Sequence, residues 1–64
     1  MAENYNGCQI HLVAEDNPER FGQELENVIN KLTQEKREIV DIKINTTYNS
    51  DENAVYYDGY VFYR

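Results

Sequence analysis

Cys8 and His11 stand three apart in the run CQIHLVA, the spacing of half a metal site, and His11 is the only imidazole in the chain. That run alternates as a β-strand does, and residues three apart on a strand project from opposite faces, so the two side chains cannot meet on one ion. The expectation is a buried small thiol on one side, a surface imidazole on the other, and no metal site. His11 beside Asp41 or Asp58 has the makings of a general base, but no nucleophile or oxyanion site accompanies it. Asp51 and Glu52 lack the repeated oxygen ligands and the glycine of a calcium loop, and read as solvating turn residues. Gly7, Gly22 and Gly59 are scattered, so there is no phosphate-cradling loop. The sequence therefore predicts no catalytic residue, no cofactor and no enzyme. What remains is a binding chemistry: Lys43 and Arg64 supply cations, and Tyr56 and Tyr60 supply faces on which a base can stack. The same cations can instead pair with Asp41 and Asp58 across strands.

Positioning these groups requires a sheet. Cys8 to Ala14 alternates, with Cys8, Ile10, Leu12 and Ala14 on one side and Gln9, His11 and Val13 on the other. Asn17 is a helix cap and Pro18 fits a first helical position. Phe21, Leu25, Val28, Ile29 and Leu32 then form one apolar stripe, with Lys36 and Arg37 favouring the negative pole of a helix that stops close to Arg37. Gly22 costs roughly 1 kcal/mol relative to Ala inside a helix, which makes sense if the backbone packs closely on the sheet there. Ile39 to Tyr48 alternates and is β-branched, a second strand; Asn49 to Asn53 is a polar hairpin loop; Val55 to Arg64 is a third strand. The fold class is α+β: one β-α-β-β domain over residues 1–64, a three-stranded sheet with one helix on one face. The strand order is left open.

One helix covers one face. Ile10, Leu12, Val40, Ile42 and Ile44 are expected beneath it, together with Val55, Tyr57, Gly59, Val61 and Tyr63, because the alternative phase of the last strand would bury Asp58 and Arg64. Gly59, having no side chain, would leave room for the helix. The other face then displays His11, Val13, Asp41, Lys43, Tyr56, Asp58, Tyr60, Phe62 and Arg64. The last ten residues carry five of the chain's eight aromatic rings, and rings with polar tips are favoured at subunit interfaces and ligand sites. The candidate ligand or interface residues are His11, Lys43, Tyr56, Tyr60, Phe62 and Arg64.

A 64-residue chain buries only about 60% of the surface its unfolded state exposes. Cys8 is its only cysteine, so no internal disulfide supplements the core, and oligomerisation is the remaining device. A homodimer or larger assembly is expected, its seam on the ring-bearing face, with a small ligand between subunits as a further possibility. A formal charge of −6 repels the phosphate backbone and disfavours nucleic acid, while leaving open a basic protein partner for the acidic helix face of Glu19, Gln23, Glu26 and Asn30. No signal peptide or membrane-length apolar run is evident, which predicts a cytoplasmic protein without a membrane partner.

LENVINKL in the helix, IVDIKI in the second strand and YVFYR at the end resemble a family of very short, sigma-E-controlled bacterial sporulation-associated proteins. That family similarly runs from a strand through an ENxxN helix to a V-x-D-I-K strand and a strand ending in Tyr and a charged residue. The resemblance implies this α+β fold and carries no catalytic residue across; Tyr60 and Phe62 replace the aliphatic residues it would lead one to expect. In size, acidity and expected oligomerisation the chain is also similar to small phage proteins that inhibit host defence, some by sequestering nucleotide immune signals. That analogy implies a nucleotide-like ligand at the seam.

Overall fold

The structure, a computed structural model, describes residues 7–64. It comprises β1 (Gln9–Glu15), α1 (Pro18–Gln34), β2 (Ile39–Asn49) and β3 (Ala54–Tyr63). The three strands pair antiparallel in the order β1-β3-β2, so the ring-rich last strand is the central one. This is the expected β-α-β-β, α+β architecture. No helix among the described residues is long and apolar enough to cross a membrane.

The helix starts as its sequence dictates. Asn17 is extended, and its Oδ1 accepts the Arg20 backbone N–H at 3.0 Å, with Pro18 following, so one of the orphan amides of the first turn is satisfied. Its end comes three residues before Arg37, at Gln34. Lys36 turns left-handed with φ 61°, its N–H reaching the Thr33 carbonyl at 3.0 Å while the Arg37 N–H reaches that of Leu32 at 2.9 Å. These two bonds close the last turn in the manner usually built on glycine. Arg37, freed from the helix, lies 4.9 Å over the Tyr63 ring and donates from Nε to the Arg64 carbonyl at 2.9 Å.

Directly paired residues share a face of the sheet, so the register fixes both faces. A Cβ on Gly59 would lie 3.0 Å from Phe21 Cζ and 3.5 Å from Leu25 Cδ1, which puts Gly59, with Val55, Tyr57, Val61 and Tyr63, on the helix side as expected. Val61 is fully enclosed, Phe21 and Leu32 are buried, and the Phe21 and Tyr57 rings pack with centroids 5.7 Å apart. The close approach of helix to sheet happens at Gly59. At Gly22, where it was expected, a Cβ would meet nothing within 4 Å.

β1 is turned the other way from its expected facing. Val13 pairs with Gly59 and His11 with Val61, which places both on the helix side; Ile10 pairs with Phe62 and Leu12 with Tyr60, on the open side. Val13 is 4% exposed, whereas Ile10 and Leu12 are 56% and 54% exposed. The phase follows from the corner. Only Asp16 and Asn17 separate β1 from α1, and Glu15, in phase with Val13, meets Arg20 of the first helical turn at 3.5 Å. β2 carries a second departure: Ile39 pairs with Tyr63 and Asp41 with Phe62, so Val40 is the extra residue of a bulge and not part of the covered row. Ile42 is on the helix side and half-buried, but Ile44 on the same side is 57% exposed. Tyr48 and Val55, toward the hairpin end, are exposed as well, because β1 ends at the level of Tyr57 and α1 starts from that corner, short of the hairpin end.

Candidate functional site

The face opposite α1 is built around β3. Tyr60 stands at its middle between Leu12 of β1 and Lys43 of β2; Phe62 follows between Ile10 and Asp41, and Asp58 precedes between Ala14 and Asn45. Tyr56 has only Thr47 beside it, since β1 ends at the level of Tyr57. The result is an apolar band across two strands, Ile10 and Leu12 against Tyr60 and Phe62, bordered by charge. Within it Tyr60 is 36% exposed and Phe62 only 8%.

Of the six residues singled out in the sequence, Lys43, Tyr56, Tyr60 and Phe62 come together on this face. Phe62 is buried and acts as its floor; it is not a contact surface. Arg64 lies beyond the strand, where its backbone N–H and carbonyl bond Glu38 at 2.9 and 3.2 Å and its Nε stands 3.9 Å from Glu38 Oε1. Both side chains are exposed, so the pair adds less than about 1 kcal/mol. His11 belongs to the other side of the sheet, where it is exposed on edge strand β1 opposite Val61. The position expected for it is taken by Ile10 and Leu12. The signal for those two was the apolar row of CQIHLVA, which reads as core only on the assumption that every apolar row lies under the helix.

The hairpin end is organised by side chains. Asn49 Oδ1 accepts the N–H groups of Asp51 and Glu52 at 3.0 and 3.3 Å, Asn53 turns left-handed at φ 51°, and the Tyr48 hydroxyl donates to Asn53 Oδ1 at 2.7 Å. On the open side, the Tyr56 hydroxyl donates to Glu52 Oε1. That carboxylate holds the phenolic proton on and pushes the Tyr56 pKa above its ordinary value. Tyr56 is therefore a neutral donor at physiological pH, with no capacity to act as a base.

Chemically, the face offers apolar contact, ring stacking and the Lys43 cation. Among the described residues no group of three or more His, Cys, Asp and Glu is gathered as for a metal, and the described surface of one chain forms no pocket. A concave site for a small molecule would need a second surface against this one. No protein-family model matches the chain, and no curated protein and no solved structure matches it either.

Proposed function

We propose that this chain is a non-enzymatic binding protein that works as a homo-oligomer, its subunits meeting through the open face of the sheet. The observation that carries the reading is the facing of β1: its two largest apolar side chains, Ile10 and Leu12, are turned away from the helix and stay more than half exposed beside Tyr60. Completing the burial of each of these three groups is worth about 1 kcal/mol, and removing such a band from water is the main drive to association. Rings with polar tips and a cation at the rim are the usual composition of such a seam.

Between two open faces, Tyr60 and Lys43 would meet a flat anionic ligand with stacking and charge, so a nucleotide-type small molecule held at the seam is the specific form of the proposal. Sequestration of such a signal, in a bacterium or its phage, is the role this form fits. Thermal-shift measurement against cyclic and ADP-ribose-type nucleotides tests the ligand: stabilisation of several degrees, lost in Tyr60→Ala, is expected. No shift with any of them at saturating concentration removes the nucleotide and leaves the assembly to be tested by its mass.

A further inference from the structure

The two backbone edges of the sheet are guarded differently. β1 is an edge strand of seven residues, and a short edge offers little to pair with. β2, at the other edge, is the longest strand, eleven residues without proline or glycine. Which of its amides point outward follows from the ladder. Glu38 and Arg64 exchange both backbone bonds, at 3.2 and 2.9 Å, and along an antiparallel pair such residues alternate with residues that exchange none. The groups of β3 turned to β2 are therefore those of Phe62, Tyr60, Asp58 and Tyr56. Lys43, Asn45 and Thr47, opposite the last three, spend their N–H and C=O on β3, while Ile42, Ile44, Thr46 and Tyr48 turn theirs outward. Asp41 supplies an independent check: its Oδ1 accepts the Ile42 N–H at 2.8 Å, a bond open to an amide directed away from β3. The bulge at Val40 and this Asp41 cap close the beginning of the edge, as bulges and charges commonly do. Beyond them, among the described residues, no side chain caps the outward groups of Ile44, Thr46 and Tyr48. The Ile44 and Tyr48 side chains are more than half exposed on the helix side, where α1 does not cover them.

We infer that the β2 edge from Ile44 to Tyr48 is a docking site for an extended segment of another protein, which joins the sheet as a further strand with apolar and basic residues in alternation. Main-chain bonds to the outward groups supply the affinity, and the alternation supplies the choice of partner. Guest residues level with Ile44, Thr46 and Tyr48 share the helix side with them and are apolar, because they complete the cover of the two exposed side chains. Guest residues in between lie on the open side. There β2 and its hairpin present Asp41, Asp51 and Glu52 against Lys43, on a chain of net charge −6, so basic residues complement them. A second copy of β2 fits the edge poorly. The longest register that avoids the occupied Ile42 amide pairs Ile44 with Tyr48 of the other copy, and it brings Asp41 level with Asp51 of that copy, twice over; like charges opposite one another are destabilising. The site goes beyond the open-face reading and does not depend on it, because its bonds run in the plane of the sheet.

The probe is a capped heptapeptide, Lys-Val-Thr-Val-Lys-Val-Lys, titrated into the whole chain while amide exchange is followed by NMR. At saturating peptide the exchange of the Ile44, Thr46 and Tyr48 amides is expected to slow by about tenfold or more, as hydrogen-bonded amides do. Slowing confined to other residues, or none, overturns the site. N-methylation of one alternate set of the peptide's amides is expected to abolish binding and of the other set to leave it; tolerance of both overturns the main-chain pairing. The same peptide with Glu in place of every Lys is expected to bind at least about tenfold more weakly, and equal binding overturns the charge assigned to the partner. In the chain itself, Thr46→Pro removes an N–H that points away from β3, a place where an edge strand tolerates proline. It is expected to unfold cooperatively as the wild type does and to lose the peptide; a folded variant that still binds overturns the proposal. The N-methylated pair carries the test without any change to the chain.

Discussion

The two sides of β3 are made from one decapeptide, yet they behave as different materials. On the helix side Val61 is fully enclosed and Gly59 sits against Phe21; on the open side Tyr56 keeps about a third of its surface in water, and so does Tyr60 beside the half-exposed Leu12. The helix side is a finished core, though a small one, and the open side has core-like composition with no cover among the described residues. A chain whose radius of gyration is 13.2 Å, against roughly 11 Å for a compact fold of this length, has one helix among its described residues, and that helix covers part of one face. The contrast teaches that apolar content and burial part company wherever a sheet has more faces than helices to cover them.

The largest break in that comparison comes from the helix side. Phe21→Ala removes the ring that touches both Gly59 and Tyr57, and a cost of about 3–5 kcal/mol is most of what so small a domain possesses; loss of cooperative thermal unfolding is the expected outcome. Gly59→Val drives new atoms into a contact already at 3.0 Å and is expected to lower stability by about 1–3 kcal/mol in denaturant titration. Gly22→Ala acts oppositely. Its new methyl meets open space, so the helix gains about 1 kcal/mol, and a loss instead would mean that the helix rests on something at Gly22.

Those three substitutions also mark what the sequence made legible. The cap at Asn17, the stripe from Phe21 to Leu32 and the phase of β3 follow from local rules: an unpaired amide needs an acceptor, an apolar stripe needs a sheet, and Asp58 resists burial. The facing of β1 does not follow, because its more apolar row, Ile10, Leu12 and Ala14, is the one turned from the helix, and the choice is made by a two-residue corner and by Glu15 meeting Arg20. The bulge at Val40 is hidden for a similar reason: Ile39, Val40 and Ile42 are equally β-branched, and only pairing with Tyr63 and Phe62 shows which is the extra residue. The helix end is missed because Lys36 adopts a backbone conformation that its side chain does not advertise. Four of the six candidate site residues share the open face, but His11 followed β1 to the other side.

The smallest expected effect lies at the acidic corner. Hydrogen bonding with Glu15, then burial, raises the Glu24 pKa above its ordinary 4.5, with Arg20 opposing. A raised native pKa means that the folded state holds the proton more tightly than the unfolded one. The resulting stability is fully present below pH 4.5 and is lost as pH rises through the raised native value. Glu24→Gln is expected to flatten the pH dependence of the thermal midpoint in that window; an unchanged slope would show that the two carboxyl groups do not share a proton.

The central claim, that the open face is a subunit interface, is tested most directly by light-scattering mass at micromolar concentration, measured on the wild type and on Leu12→Lys together. Leu12 is 54% exposed in the single chain, so its replacement is expected to change the stability of a monomer by no more than about 0.5 kcal/mol. The account predicts twice the 7.6 kDa chain mass or a higher multiple for the wild type, and a folded monomer for Leu12→Lys. A monomer mass for the wild type, or an oligomer that Leu12→Lys leaves intact, would contradict it.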